Sequence, residues 1–523
     1  LILGGGAAYF FFQNRGGSDV LPVGSRILPV DTSLSVTLTT QGDPRDRLQD
    51  FNIPKVRQAI LKNLDAFDAE VLEPQGLNFR ADVQPWVGAS ITTATLTPET
   101  NGSDAALAAT SKVWILPMRD SGRARAFVTQ GITRGGGTAE SSIYQGQAIQ
   151  SLRFQSDPVH FTALEDVVVI ANDLPSMREV IDTAIGEESL ASQERFKLAM
   201  AEISAANPLA VLYVNVPENT SQLFEQEGRQ IDKVTLERLQ EFQGFGSSVT
   251  LTENGLNFSS VSWLQPESEE SLTVTGPAPV MASRLPADTL LMVSGESFQQ
   301  VWNDYQKGVE TQLLLPFSPR SLQANFTRLT GLNFEEKFFP WMTGEFAAGL
   351  VPSSPQDAKN AGVVFMVRAS DQTRAEQVLR ELEAEMQKKY ALQISETKIN
   401  DNSVVIWRLP PNLPIASRGW LGDRVMFFTM FSPVTERIVD RQESLADDQR
   451  YQAATQSQLS QKSGQFFLNV PLLVNVMDSS QFLPKLTPEY QNYTKEFESI
   501  GGTSTTLNDW STRYDVNVNF VKK

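Results

Sequence analysis

Gly76-Leu77-Asn78-Phe79, followed by Pro85-Trp86, recurs as Gly331-Leu332-Asn333-Phe334, followed by Pro340-Trp341, with the same internal spacing. The offset is 331 − 76 = 255 residues. Other landmarks recur in the same order. Leu28-Pro29-Val30-Asp31-Thr32 answers Leu285-Pro286-Ala287-Asp288-Thr289 (288 − 31 = 257), and Tyr213-Val214-Asn215-Val216-Pro217 answers Phe467-Leu468-Asn469-Val470-Pro471 (471 − 217 = 254). Gly246-Ser247-Ser248 answers Gly502-Thr503-Ser504 (502 − 246 = 256). A nearly constant offset means a duplicated unit of roughly 240 residues, far longer than the repeats that stack into solenoids.

The sequence divides accordingly. Residues 25–265 form copy one, 266–282 a linker rich in Glu, Ser, Gly and Pro, and 283–523 copy two. Leu1 to Phe12 is apolar and uncharged, ends in an aromatic cluster, and gives way to a polar linker at 13–24. Twelve residues fall short of the roughly 20 that cross a bilayer. With its aromatic boundary the segment reads as the C-terminal part of a transmembrane anchor that starts upstream. A signal peptide fits less well, because Ala7-Ala8-Tyr9 before three phenylalanines makes a poor cleavage site.

In copy two, a strand at Val363–Val367 precedes a helix carried by Ala375, Val378, Leu379, Leu382 and Met386, capped by Asp371 or Thr373. Strands follow at Ser403–Trp407 and Arg424–Thr429. A second helix carries Val434, Ile438 and Val439, a helical insertion spans Gln449–Ser457, and a strand runs from Gln465 to Val470. The order β-α-β-β-α-β is that of a ferredoxin-like, or split βαβ, unit. The expected fold is α+β: two tandem homologous domains, each a largely antiparallel sheet with helices packed on one side. Copy one matches, except that the counterpart of the long helix soon meets Gly131 and Gly135-Gly136-Gly137, each costly inside a helix. A shortened helix over Arg123–Gln130 and a loop at Arg134, Gly135, Gly136 and Gly137 are therefore expected, and that loop is a candidate interaction site.

Composition excludes several chemistries. The chain has no cysteine and a single histidine, His160, so disulfides, thiolate nucleophiles, zinc–cysteine sites and most His-based centres are ruled out. A net charge of −17 opposes binding to nucleic acid and to anionic lipid. His160 reads as a surface or sheet-edge residue. Ser395-Glu396-Thr397-Lys398 has Ser-x-x-Lys spacing but a strand context and no companion motifs. Asp447-Asp448 and Glu335-Glu336 read as solvated acidic pairs. Trp86 and Trp341 read as core anchors rather than exposed recognition aromatics. Gly255-Leu256-Asn257-Phe258 repeats the tetrapeptide without the Pro-Trp and reads as coincidence.

The pairing of Leu-Pro-x-Asp-Thr with Gly-Leu-Asn-Phe and a following Pro-Trp resembles membrane-anchored cyanobacterial proteins grouped as a domain of unknown function. The resemblance spans nearly the whole chain. It implies an N-terminal transmembrane helix, with the bulk of the chain in the periplasm or thylakoid lumen, and it supplies no catalytic residues. The functional expectation is a non-enzymatic, membrane-tethered binding or scaffold protein, with no cofactor or metal and with integral-membrane or lumenal protein partners, including photosynthetic complexes. The alternatives are a carrier or sensor of an apolar ligand such as lipid or pigment, and an exported hydrolase.

Overall fold

A computed structural model describes residues 21–40, 48–58, 67–97, 111–131, 138–153, 157–219, 240–268, 271–273, 280–307, 319–354, 357–422, 424–479, 485 and 487–523. The Leu1–Phe12 segment and the Arg134–Gly137 loop lie outside these residues. Among the described residues no helix is long and apolar enough to cross a membrane.

The chain forms two compact units. The first comprises residues 1–50, 54–251 and 258–271, and the second 51–53, 252–257 and 272–523. The first carries β1 (Leu34–Thr39), β2 (Ser90–Leu96), β3 (Ser111–Pro117), β4 (Thr138–Tyr144) and β5 (Gln147–Arg153). It continues with β6 (Val159–Leu164), β7 (Val167–Ala171), β8 (Ala210–Asn215), β9 (Phe242–Leu251) and, from Phe258 on, β10 (Gly255–Leu264). Its helices include α1 (Ser121–Ala126), α2 (Leu174–Ile185) and α3 (Glu194–Glu202). Their neighbour order is β4-β5-β6-β7-β3-β2-β1-β8-β9-β10, with antiparallel registers from β4 to β9.

The second unit repeats this plan. It contains β11 (Leu291–Gly295), β12 (Phe346–Ser354), β13 (Asp357–Arg368), β14 (Gln393–Ile399) and β15 (Asn402–Leu409). It continues with β16 (Leu413–Leu421), β17 (Val425–Met430), β18 (Gly464–Asn469), β19 (Phe497–Thr506) and β20 (Ser511–Phe520). Its helices include α4 (Phe298–Lys307), α5 (Pro319–Thr330), α6 (Gln372–Tyr390), α7 (Thr435–Val439), α8 (Gln449–Ala454) and α9 (Val470–Ser479). The order β14-β15-β16-β17-β13-β12-β11-β18-β19-β20 is that of the first unit, strand for strand, and these ladders are antiparallel.

The fold is α+β, and two finer expectations are corrected. A ferredoxin-like unit would set its closing strand β18 beside β13. Instead β12 takes that place and β18 pairs with β11. The helices also do not share one side. Successive side chains of a strand point to opposite faces. Val364, Met366, Val425 and Phe427 join the cluster of Ile438 on α7 and Tyr451 on α8. Phe365, Val367, Met426 and Phe428 join that of Ala375, Val378, Leu379 and Leu382 on α6. Helices therefore cover both faces.

The helix expected ahead of the closing strand, α8, has its counterpart in α3 of the first unit. Both helices lie over a glycine. A Cβ on Gly246 would stand 2.1 Å from Met200 Cε, and one on Gly501 would stand 2.8 Å from Ala454 Cβ. Register matches these two glycines, since Tyr213 pairs with Gly246 and Phe467 with Gly501. The sequence pairing of Gly246 with Gly502 was one residue out, and such a slip moves a side chain to the other face.

The Leu-Pro-x-Asp-Thr motif is a turn that docks onto the chain ahead of α3 or α8. Thr32 Oγ1 donates to Pro29 O at 2.7 Å, and Thr289 Oγ1 to Pro286 O at 2.6 Å. Leu190 N donates to Leu28 O and Leu445 N to Leu285 O, fixing the buried leucines in both units.

Candidate binding surfaces

The recurring tetrapeptide is a cap. Gly76 and Gly331 take positive φ, +72° and +80°, which glycine adopts without steric cost. The Asn78 side chain accepts from the N–H groups of Arg80 and Ala81, and that of Asn333 from those of Glu335 and Glu336. Leu77, Leu332, Trp86 and Trp341 are buried, while Phe79 and Phe334 are half-buried. Pro85 and Pro340 lead into the tryptophans, and the Trp86 and Trp341 carbonyls accept from Arg119 N and Ser370 N. The two indoles differ. Trp86 Nε1 donates to Asp82 O at 2.6 Å, whereas Trp341 Nε1 is buried without an acceptor among the described residues.

A groove of about 350 Å³ opens beside this signature in the first unit, lined by Thr40, Phe79, Gln84, Val87, Gly88, Ala89 and Arg119. Thr40 ties its floor together: its Oγ1 donates to Gly88 O at 2.6 Å and its N–H to Ala89 O at 2.8 Å. Arg119 is exposed at one wall, and its guanidinium donates to Gln84 O and Pro85 O at 3.2 Å each. Arg80 is also exposed, one residue from Phe79.

A second surface lies at strand ends of the other unit. Leu409 and Leu413 face each other across the β15–β16 hairpin at 38% and 60% exposure. Phe431, whose N–H donates to Ile415 O, is 79% exposed at φ +73°. A bulky residue in the left-handed region is an outlier.

Other residues fall differently from expectation. His160 is inside β6, between β5 and β7, and only 7% exposed, so it is neither at a surface nor at a sheet edge. Its Nδ1 lies 2.8 Å from Ser151 Oγ. Burial pushes its pKa below the ordinary histidine value, against a smaller upward pull from Asp173. Asp447 and Asp448 are not merely solvated: Asp447 closes a capping box with Ser444, and Asp448 caps α8. Glu335 receives the indole N–H of Trp302 at 3.5 Å. Ser395 to Lys398 lie in β14, and Gly255 opens β10.

One constellation left no trace in the sequence reading. Arg418 on β16 is 3% exposed and held by two glutamates of α6. Its Nε donates to Glu383 Oε1 at 2.6 Å, its Nη1 to Glu376 Oε2 at 2.9 Å, and Trp420 Nε1 also donates to Glu376 at 3.1 Å. Glu376 and Glu383 are seven apart, two turns of one helix face, and that spacing was the available signal. Among the described residues no group of three or more His, Asp or Glu is placed to hold a metal ion.

A family described as a protein of unknown function, DUF3352, matches residues 1–520. The chain belongs to that family. Solved structures of TP0453 are also similar to part of this DUF3352 chain. Crystal form III matches with TM-score 0.25 and 9% identity, covering 48% of this chain and 82% of that one. Crystal form I matches with TM-score 0.26 and 9% identity, covering 48% and 81%. No curated protein matches the chain.

Proposed function

We propose that this DUF3352 chain is a non-enzymatic binding or scaffold protein that docks a protein partner on the apolar strand ends of its second unit. In this reading the N-terminal apolar segment tethers it to a cyanobacterial membrane. The bulk of the chain lies in the periplasm or thylakoid lumen, and the partners are membrane complexes there. The observation that carries the reading is Phe431, a large ring at 79% exposure in a costly backbone conformation, bonded through its N–H to Ile415 O on the strand that carries exposed Leu413. Strain of this kind collects at functional sites. A net charge of −17 opposes the alternative of an anionic bilayer as the docking surface.

The carrier reading has less support. In the second unit Phe298, Trp302, Phe334 and Phe339 stack on one another at 5.3 to 6.3 Å, so these rings fill their own space.

A photo-crosslinking phenylalanine analogue at position 431, irradiated in native membranes, tests the proposal. The expected result is one defined protein adduct that is lost on Leu413→Asp and absent when the analogue stands at exposed Lys398. Equal labelling at both positions, or labelling insensitive to Leu413→Asp, would sink it.

A further inference from the structure

The duplication supplies its own template for what the groove of the first unit accepts. In the second unit the equivalent space is occupied. Trp302 of α4 is 9% exposed, with its ring 5.3 Å from that of Phe334 and 5.9 Å from that of Phe339. Its neighbour Phe298 packs on Phe334 at 6.3 Å and on Phe365 at 5.2 Å. In the first unit the counterparts of Phe334 and Phe365 are Phe79 and Trp114, and Phe67 packs on both, at 6.3 and 6.2 Å. Phe67 thus does the work of Phe298. Among the described residues nothing does the work of Trp302, and the groove opens where it would sit. The sequence aligned with α4, Gln41-Gly42-Asp43-Pro44-Arg45-Asp46-Arg47, contains no aromatic residue and has Arg45 at the tryptophan position.

The charge around the site is changed as well. Glu335, which receives the Trp302 indole, is answered by Arg80, while Ser370 is answered by Arg119 and Phe339 by Gln84. The second unit therefore fills its groove with its own aromatic and borders it with an acid. Among the described residues the first leaves the same groove open, with Arg119 in its lining and Arg80 next to Phe79 in sequence, while Asp82 answers Lys337.

We propose that this groove binds an acidic peptide segment of a partner protein through one inserted aromatic side chain. The ring stacks on Phe79 and Val87, and flanking carboxylates meet the Arg80 and Arg119 guanidinium groups. Arginine is suited to that role because its planar fork pairs carboxylates in a bidentate way. The site is independent of the Phe431 surface.

The test is fluorescence anisotropy of the full chain with a labelled pentapeptide, Asp-Glu-Trp-Glu-Asp. We expect saturable binding that weakens at least about tenfold on Arg80→Glu and on Gln84→Trp, which refills the groove, given that one charged hydrogen bond is worth roughly 1.5–3 kcal/mol. Replacing the peptide tryptophan by alanine should weaken it equally. Thermal melts of both variants confirm that they are folded, and Phe431→Ala should leave peptide binding unchanged. Absence of saturable binding, equal binding of the alanine peptide, or insensitivity to both variants would overturn the proposal. So would binding seen only after residues 41–47 are replaced by a Gly-Ser stretch, because the chain's own segment would then be the occupant.

Discussion

Arg418 stands in the second unit where Phe161 stands in the first. Register fixes the match, since Phe161 closes the row Trp114–Ile170–Phe161 and Arg418 closes the row Phe365–Phe428–Arg418. Phe161 is fully buried among rings, with Phe127 at 6.1 Å. Arg418 is as deeply placed, but it carries a charge that only Glu376 and Glu383 offset.

Removing that charge alone should be costly. Arg418→Met takes the buried cation from Glu376 and Glu383, leaving them the indole N–H groups of Trp420 and Trp407 and the Arg380 guanidinium, and breaking a buried pair in this way costs about 3–5 kcal/mol. Restoring the first unit's solution with Arg418→Phe, Glu376→Gln and Glu383→Leu together should recover most of the loss. Urea denaturation of the two variants checks both statements.

The same cluster sets an acid limit. Burial alone would raise the pKa of Glu376, but hydrogen bonds from Arg418 and Trp420 outweigh it and hold the carboxyl below its ordinary value. The folded pKa lies below the unfolded one, so the stabilisation is complete above the ordinary carboxylate range. It is lost as pH falls through the folded value. Glu376→Gln should therefore flatten the dependence of stability on pH below about 4.5.

His160 gives a second and separable pH effect. Its folded pKa is depressed by burial, so the unfolded chain takes up a proton first as pH falls below the ordinary value of 6.5. Stability supplied by the neutral imidazole is present above that value and declines as pH drops toward the folded pKa. The chain has one histidine, so NMR titration follows a single imidazole. A midpoint at or above 6.5 would contradict the buried placement.

The signature tryptophans should respond unequally. Either Trp→Ala change removes a fully buried ring and should cost about 3–5 kcal/mol. Trp86→Phe also forfeits the bond to Asp82 O, whereas Trp341→Phe removes an N–H that has no acceptor among the described residues. The first should cost about 1 kcal/mol more than the second in matched melts.

The two helix-bearing glycines should also differ. Gly501→Ala drives a methyl against Ala454 Cβ on a rigid helix, and overpacking of that kind costs about 1–3 kcal/mol. Gly246→Ala meets the flexible tip of Met200 and should cost less. Equal losses would mean that α3 and α8 are held to their sheets with similar freedom.

How much of this was legible follows from what sequence patterns encode. The repeat, the buried tryptophans and the apolar stripe of α6 could be read because burial leaves periodicity behind. β4 and β14 could not be. Thr138 to Ile143 are all exposed, and β14 carries Glu396 and Lys398, so neither shows a core-facing alternation. Without β11, β12, β14 and β16 the strand count allowed a ferredoxin-like order that the real pairings exclude. The groove was out of reach for a different reason. It is defined by Trp302 in one copy and by the lack of an equivalent in the other, and that contrast has meaning only once both copies are superposed by register.

The pairing of β1 with β8 also constrains how the chain is made. Leu34 lies opposite Val214, a separation of 214 − 34 = 180 residues, and Leu291 lies opposite Leu468, 468 − 291 = 177 residues on. At roughly 5–20 residues per second, a ribosome needs about 10–40 s to deliver the strand that covers β1. Once β2 has followed, 90 − 39 = 51 residues after β1 ends, it holds one edge while the other stays open to any extended segment nearby. Each unit must pass through this wait before its sheet can close, and the second begins its own only after the first has had its last strands supplied.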